Sequence, residues 1–98
     1  MKIKGIIKQI CQDRTFTKRD GSQETAREIV FNAPYFKANG ETSSNNFIGT
    51  HFGTFDRNTF EQMKNQNREC EFEAFFDVRE HEGRYYQTCK LSRIGVIL

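Results

Sequence analysis

Tryptophan is absent from this 98-residue chain, and proline occurs once, at Pro34. No apolar run reaches the roughly 18–20 residues that span a bilayer. Nor does an apolar leader core follow Met1-Lys2. These absences lead to the expectation of a soluble, cytoplasmic protein with no membrane partner. Cysteine is sparse too. Cys11, Cys70 and Cys89 are odd in number and spaced too widely for a metal knuckle or a disulfide framework. His51 and His81 stand thirty residues apart with no Cys or His at ligand spacing, so no zinc pattern is present. No metal and no cofactor is expected. Gly49 and Gly53 lack the spacing and the following Lys of a phosphate loop, and Ser43-Ser44 has no His nearby in sequence. No enzyme is expected.

Aromatic residues are plentiful, with ten Phe and three Tyr in a chain that is only 36% hydrophobic. Disordered chains lack such rings, so a packed domain is expected. The length allows one domain, residues 1–98. Net charge is only +2, but it is uneven. Residues 1–37 carry eight Lys/Arg against four acids, and residues 38–98 carry seven against nine. A basic first half points to one positive face, a footprint for a polyanion.

The patterning is that of strands. Ile3, Ile6, Ile7 and Ile10 break strict alternation, which fits a first strand that bends or bulges near Gly5. The segment Thr17 to Ser22 contains Asp20-Gly21 and predicts a hairpin turn. A second strand follows from Thr25 to Asn32, then a loop from Lys37 to Asn46, then a third strand from Asn46 to Phe52. Thr54 or Asp56 can cap one short helix, in which Phe55, Phe60 and Met63 recur at helical spacing. The clearest alternation is the fourth strand: Cys70, Phe72, Ala74, Phe76 and Val78 face inward, and Glu71, Glu73, Phe75 and Asp77 outward. After a turn at His81-Glu82-Gly83, the fifth strand brings Tyr85, Cys89 and Leu91 inward. This order predicts an all-β five-stranded Greek-key barrel, the OB-fold, with one short helix between strands three and four.

Three stretches carry a resemblance. Phe52-Gly53, the short helix and Glu69-Cys70-Glu71-Phe72 are similar to the central part of bacterial single-stranded DNA-binding proteins. The hairpin from Arg79 to Tyr86 resembles their last hairpin. The whole chain, from Met1-Lys2-Ile3-Lys4-Gly5 to Phe75-Phe76-Asp77-Val78-Arg79 and Gly83-Arg84-Tyr85-Tyr86, resembles a family of short bacterial OB-fold proteins. The resemblance implies the same fold and a single-strand-binding role. It departs in having no Trp on which to stack bases, and in ending on Ile94-Gly95-Val96-Ile97-Leu98 without an acidic tip.

Single-strand binding needs a cationic groove for the backbone and flat rings for the bases. The candidates are Phe16, Lys18 and Arg19 at the first hairpin, Arg27 on the second strand, and Tyr35, Phe36 and Lys37 beyond it. The last hairpin adds Arg79, His81, Arg84 and Tyr86. The expected partner is single-stranded DNA or RNA. Carboxylates on the fourth strand would repel phosphate, so its Phe75, with Val96, Ile97 and Leu98, is assigned to a protein interface and a homo-oligomer. The alternative is an OB-fold protein-interaction or oligomerisation module that binds no nucleic acid.

Overall fold

Strand formation here follows the period-2 pattern closely, and the hairpins follow the glycines. The computed structural model describes the backbone of residues 2–36 and 38–96 and the side chains of residues 2–34 and 38–92. In chain order the elements are β1 (Lys2–Ile10), β2 (Arg14–Thr17), β3 (Gln23–Phe36), β4 (Thr42–Phe52), α1 (Arg57–Asn65), β5 (Glu69–His81) and β6 (Arg84–Val96). They form one sheet in the order β1-β5-β6-β4-β3-β2, and a further β1–β3 pairing closes five of the strands into a ring. All pairings are antiparallel except β4 with β6, which meet in parallel at Thr50↔Lys90 and His51↔Leu91. This is the expected OB barrel. The expected bent first strand is divided into β1 and β2, so the helix falls between the fourth and fifth strands.

The bend has a physical cause. A strand that pairs with β5 at one end and β3 at the other must turn a corner, and β1 does so with a register shift between Ile7 and Gln9. Gly5 makes the crossing possible, because a Cβ there would lie 2.6 Å from the Asn32 carbonyl oxygen. Ile7 and Ile10 are thereby buried, while Ile3 packs against the core from its margin.

The core is the inner wall of the ring plus one helix residue: Ile7, Ile10, Ile29, Phe31, Ala33, Met63, Cys70, Phe72, Ala74 and Leu91. Phe31 and Phe72 stack at its centre, 4.5 Å between ring centroids. Fully burying rings of this size contributes about 2–3 kcal/mol each. At one end of the ring, Met63 enters the core while Phe55 and Phe60 stack at 5.0 Å and pack against it. The Asp56 carboxylate caps α1 by accepting from the Thr59 backbone N–H and hydroxyl, which holds its pKa below the ordinary value. Burial pushes the Cys70 thiol up to about 11 and raises that of Cys89 too, so both stay protonated at neutral pH.

Two hairpins run past the barrel. The loop expected from Lys37 to Asn46 is shorter, because β3 and β4 keep pairing from Ala26↔Phe52 out to Phe36↔Thr42. Asn39 Oδ1 accepts from the Glu41 N–H, and Gly40 turns the chain at φ +85°. The other arm, β5–β6, closes on Glu82 and Gly83, both at positive φ, as a two-residue hairpin requires. The arms stretch the molecule to 48 × 38 × 18 Å. They also explain a departure from expectation: Phe76, Val78 and Tyr85 keep the inward register but lie beyond the core, and Tyr85 is 73% exposed.

Candidate nucleic-acid interface

Residues directly opposite one another on neighbouring strands share a side of the sheet. Applied around the ring, this rule gathers one continuous outer face. Ala26, Glu28 and Val30 of β3 lie opposite Phe52, Thr50 and Ile48 of β4, and Thr50 pairs with Lys90 of β6. Lys90, Thr88 and Tyr86 lie opposite Phe75, Asp77 and Arg79 of β5. On the other flank Arg14 pairs with Ala26, and Phe16 with Glu24.

A cleft of about 300 Å³ crosses this face, lined by Arg14, Thr50, Phe52, Arg79, Thr88, Cys89 and Lys90. Phe16 meets Phe52 edge-on at 6.1 Å, and the Lys90 ammonium lies 5.6 Å above the Phe52 ring. At an exposed site such a cation–π contact contributes about 0.5–1 kcal/mol. It places a charge and a ring edge side by side, which is what a nucleotide presents in reverse. Phe75 and Tyr86 are about half exposed, and Phe16 and Phe52, at 39% and 36%, keep part of their ring surface open to a ligand.

The expected site residues divide into groups. Phe16, Arg79 and Tyr86 lie on this face. Lys18 and Arg19 sit at its margin on the β2–β3 turn, where Lys18 pairs with Glu24 at 3.2 Å. His81 and Arg84 form the exposed tip of the β5–β6 arm, with His81 3.8 Å from the Glu82 carboxylate. Tyr35 and Phe36 continue the β3 backbone, but their side chains, like Lys37 entirely, lie outside the described residues. So do the side chain of Val96 and the whole of Ile97 and Leu98.

Arg27 is a correction. It shares the register of Ile29 and Phe31, which is the core side, and is 2% exposed. Its guanidinium donates to the Asp13 carboxylate at 3.1 Å, the Gly53 carbonyl at 2.6 Å and the His51 Nδ1 at 2.8 Å, and lies 5.1 Å over the Phe55 ring. Asp13 also accepts from Arg57 at 2.7 Å, and these two bonds hold its pKa below the ordinary value. Arg27 therefore ties β3, β4 and the loop before β2 together at the helix end of the barrel and presents nothing to a phosphate. Phe75, assigned from the sequence to a protein interface, also lies on this face. It was expected on a phosphate-repelling strand, yet it lies opposite Lys90. Of the carboxylates that suggested repulsion, Glu71 pairs across to Lys4 and contacts Lys2 of β1 at 3.7 Å, whereas Asp77 lies on this face, 3.5 Å from Arg79.

Arg14, Phe52 and Lys90 were missed from the sequence. Lys90 could have been found by continuing the alternation of Tyr86 and Thr88 two residues further. Phe52 could not, since only the parallel β4–β6 pairing brings it beneath Lys90.

No family model and no curated protein sequence matches the chain. Solved structures do. The second OB-fold domain of replication protein A from Methanococcus maripaludis superposes with a TM-score of 0.55 at 12% identity, over 98% of this chain and 81% of that one. A small single-stranded DNA-binding protein from Streptomyces coelicolor gives 0.46 at 9% identity, covering 100% and 93%. The Plasmodium falciparum SSB complexed with ssDNA gives 0.46 at 10%, covering 94% and 82%. The first of these likenesses establishes the OB fold. Among the described residues no helix is long and apolar enough to cross a membrane.

Proposed function

We propose that the chain is a non-enzymatic, sequence-tolerant OB module that binds single-stranded nucleic acid, single-stranded DNA foremost. The observation that carries this reading is the cleft in which Lys90 lies over Phe52, Phe16 abuts the same ring, and Arg14 and Arg79 flank it. Cations follow the strand while bases stack, each stacked base contributing about 1–3 kcal/mol. Phe16, Phe75 and Tyr86 are the further platforms, and Lys18, Arg19, His81 and Arg84 extend contact along the two hairpins. Tyr35, Phe36 and Lys37 belong to the proposal on sequence grounds alone. The likeness to an OB-fold domain of replication protein A agrees with it.

The cytoplasm is the proposed location, and a second copy of the chain the proposed further partner. Self-association is supported by Phe76 and Val78, exposed on the side of the β5–β6 arm away from the cleft.

A labelled oligo-dT titrated by fluorescence anisotropy at about 50 and 200 mM salt tests the central reading. Binding that weakens at the higher concentration is the expected result. No binding even at the lower one removes the proposal.

A further inference from the structure

Both arginines that flank the cleft are already engaged. Arg14 reaches the Glu28 carboxylate at 3.4 Å, and Arg79 the Asp77 carboxylate at 3.5 Å. The partners are neighbours by register. Glu28 stands two residues beyond Ala26, the residue opposite Arg14, and Asp77 stands two residues before Arg79 on β5, so each pair points to the same side of the sheet. All four side chains are well exposed, from 40% to 68%. Lys90, by contrast, has no carboxylate partner among the described residues and rests on the Phe52 ring.

We infer that Glu28 and Asp77 are built-in competitors of phosphate at this face, each occupying a cleft arginine until a strand displaces it. The inference rests on the proposed single-strand binding and specifies its regulation. An exposed ion pair is weak enough to be exchanged for a phosphate. When the exchange occurs, the freed carboxylate recruits a cation from solution as the phosphate sheds one, so the net counterion release at that arginine is small. A face self-neutralised in this way gains little from dense phosphate and relies on its rings, which favours unstacked bases over duplex.

The test uses the full chain and the same labelled oligo-dT, comparing wild type with Glu28→Gln, Asp77→Asn and the control Glu71→Gln. The control removes the same charge beside Lys2 on β1. Glu28→Gln and Asp77→Asn are each expected to tighten binding about two- to fivefold, the scale of one exposed ion pair. Each should also steepen the dependence of log K on log salt by up to about 0.7. Glu71→Gln should alter neither. Unchanged or weaker binding by the first two variants, with wild type still binding, overturns the competitor role alone. Equal tightening by Glu71→Gln also overturns it, since overall charge would then be the cause. No binding by any of the four proteins overturns the functional reading and this inference together.

Discussion

Gly49 makes room for Leu91: a Cβ on Gly49 would sit 2.7 Å from the Leu91 Cγ and 3.0 Å from both of its methyl carbons. Leu91 is 2% exposed and, opposite His51, forms one of the two residue pairs that join β4 to β6. Gly49→Ala therefore overpacks the barrel where it closes. A destabilisation of about 1–3 kcal/mol is expected. Urea denaturation read by circular dichroism measures it, and an unchanged midpoint would show that Leu91 moves aside freely.

Arg27→Met removes the buried guanidinium and keeps the volume. It leaves the Gly53 carbonyl and His51 without their donor, while Asp13, half-exposed, keeps Arg57. The expected cost is about 2–3 kcal/mol, below the 3–5 typical of a wholly buried pair because Asp13 is not stranded. Oligo-dT affinity, measured where the variant is fully folded, should match wild type. A large loss of affinity would return Arg27 to the binding surface.

Burial, and secondarily the Arg27 charge, hold the His51 imidazole below its ordinary value of 6.5. The unfolded chain then takes up a proton at His51 before the folded chain does. Stability from this group is complete above pH 6.5 and declines as pH falls below it, until the folded-state histidine titrates. Asp13, Asp20 and Asp56, held below 3.8 by hydrogen bonds to Arg57 and Arg27, to Ser22 and to Thr59, add a second loss only under that pH. Melting temperatures in the upper window should fall with acidification in wild type and stay level in His51→Gln, whose amide oxygen still accepts from Arg27. A parallel fall in both proteins would exclude His51 as the cause.

Phe16→Ala removes an exposed ring that adjoins Phe52 without entering the core. A loss of about 1–3 kcal/mol in oligo-dT binding, with little change in stability, is the expected outcome. Equal affinity in the titration would mean that bases stack elsewhere.

The barrel was legible in the sequence because its cause is local. Alternation from Cys70 to Ala74 and the turns at Asp20-Gly21 and Glu82-Gly83 each follow from a few neighbouring residues. The site was legible only where local register carries it, as at Tyr86 and Arg79. Arg27 misled because an arginine in alternation with Ile29 and Phe31 reads as either side of a strand. Its burial depends on Asp13, from the loop before β2, and on His51 and Gly53, from the end of β4. Phe52 and Lys90 are thirty-eight positions apart in sequence and meet through the ring closure alone.

That closure is slender. The β4–β6 seam has two rungs, Thr50↔Lys90 and His51↔Leu91, whereas β3 and β4 run together along their full shared length. Stretched across the seam, the molecule would yield there before any other junction, with both hairpins still intact. Phe52 and Lys90 sit astride it, so a ligand gripping both acts as a rivet, and hydrogen exchange at Thr50 and Lys90 should slow once it is seated.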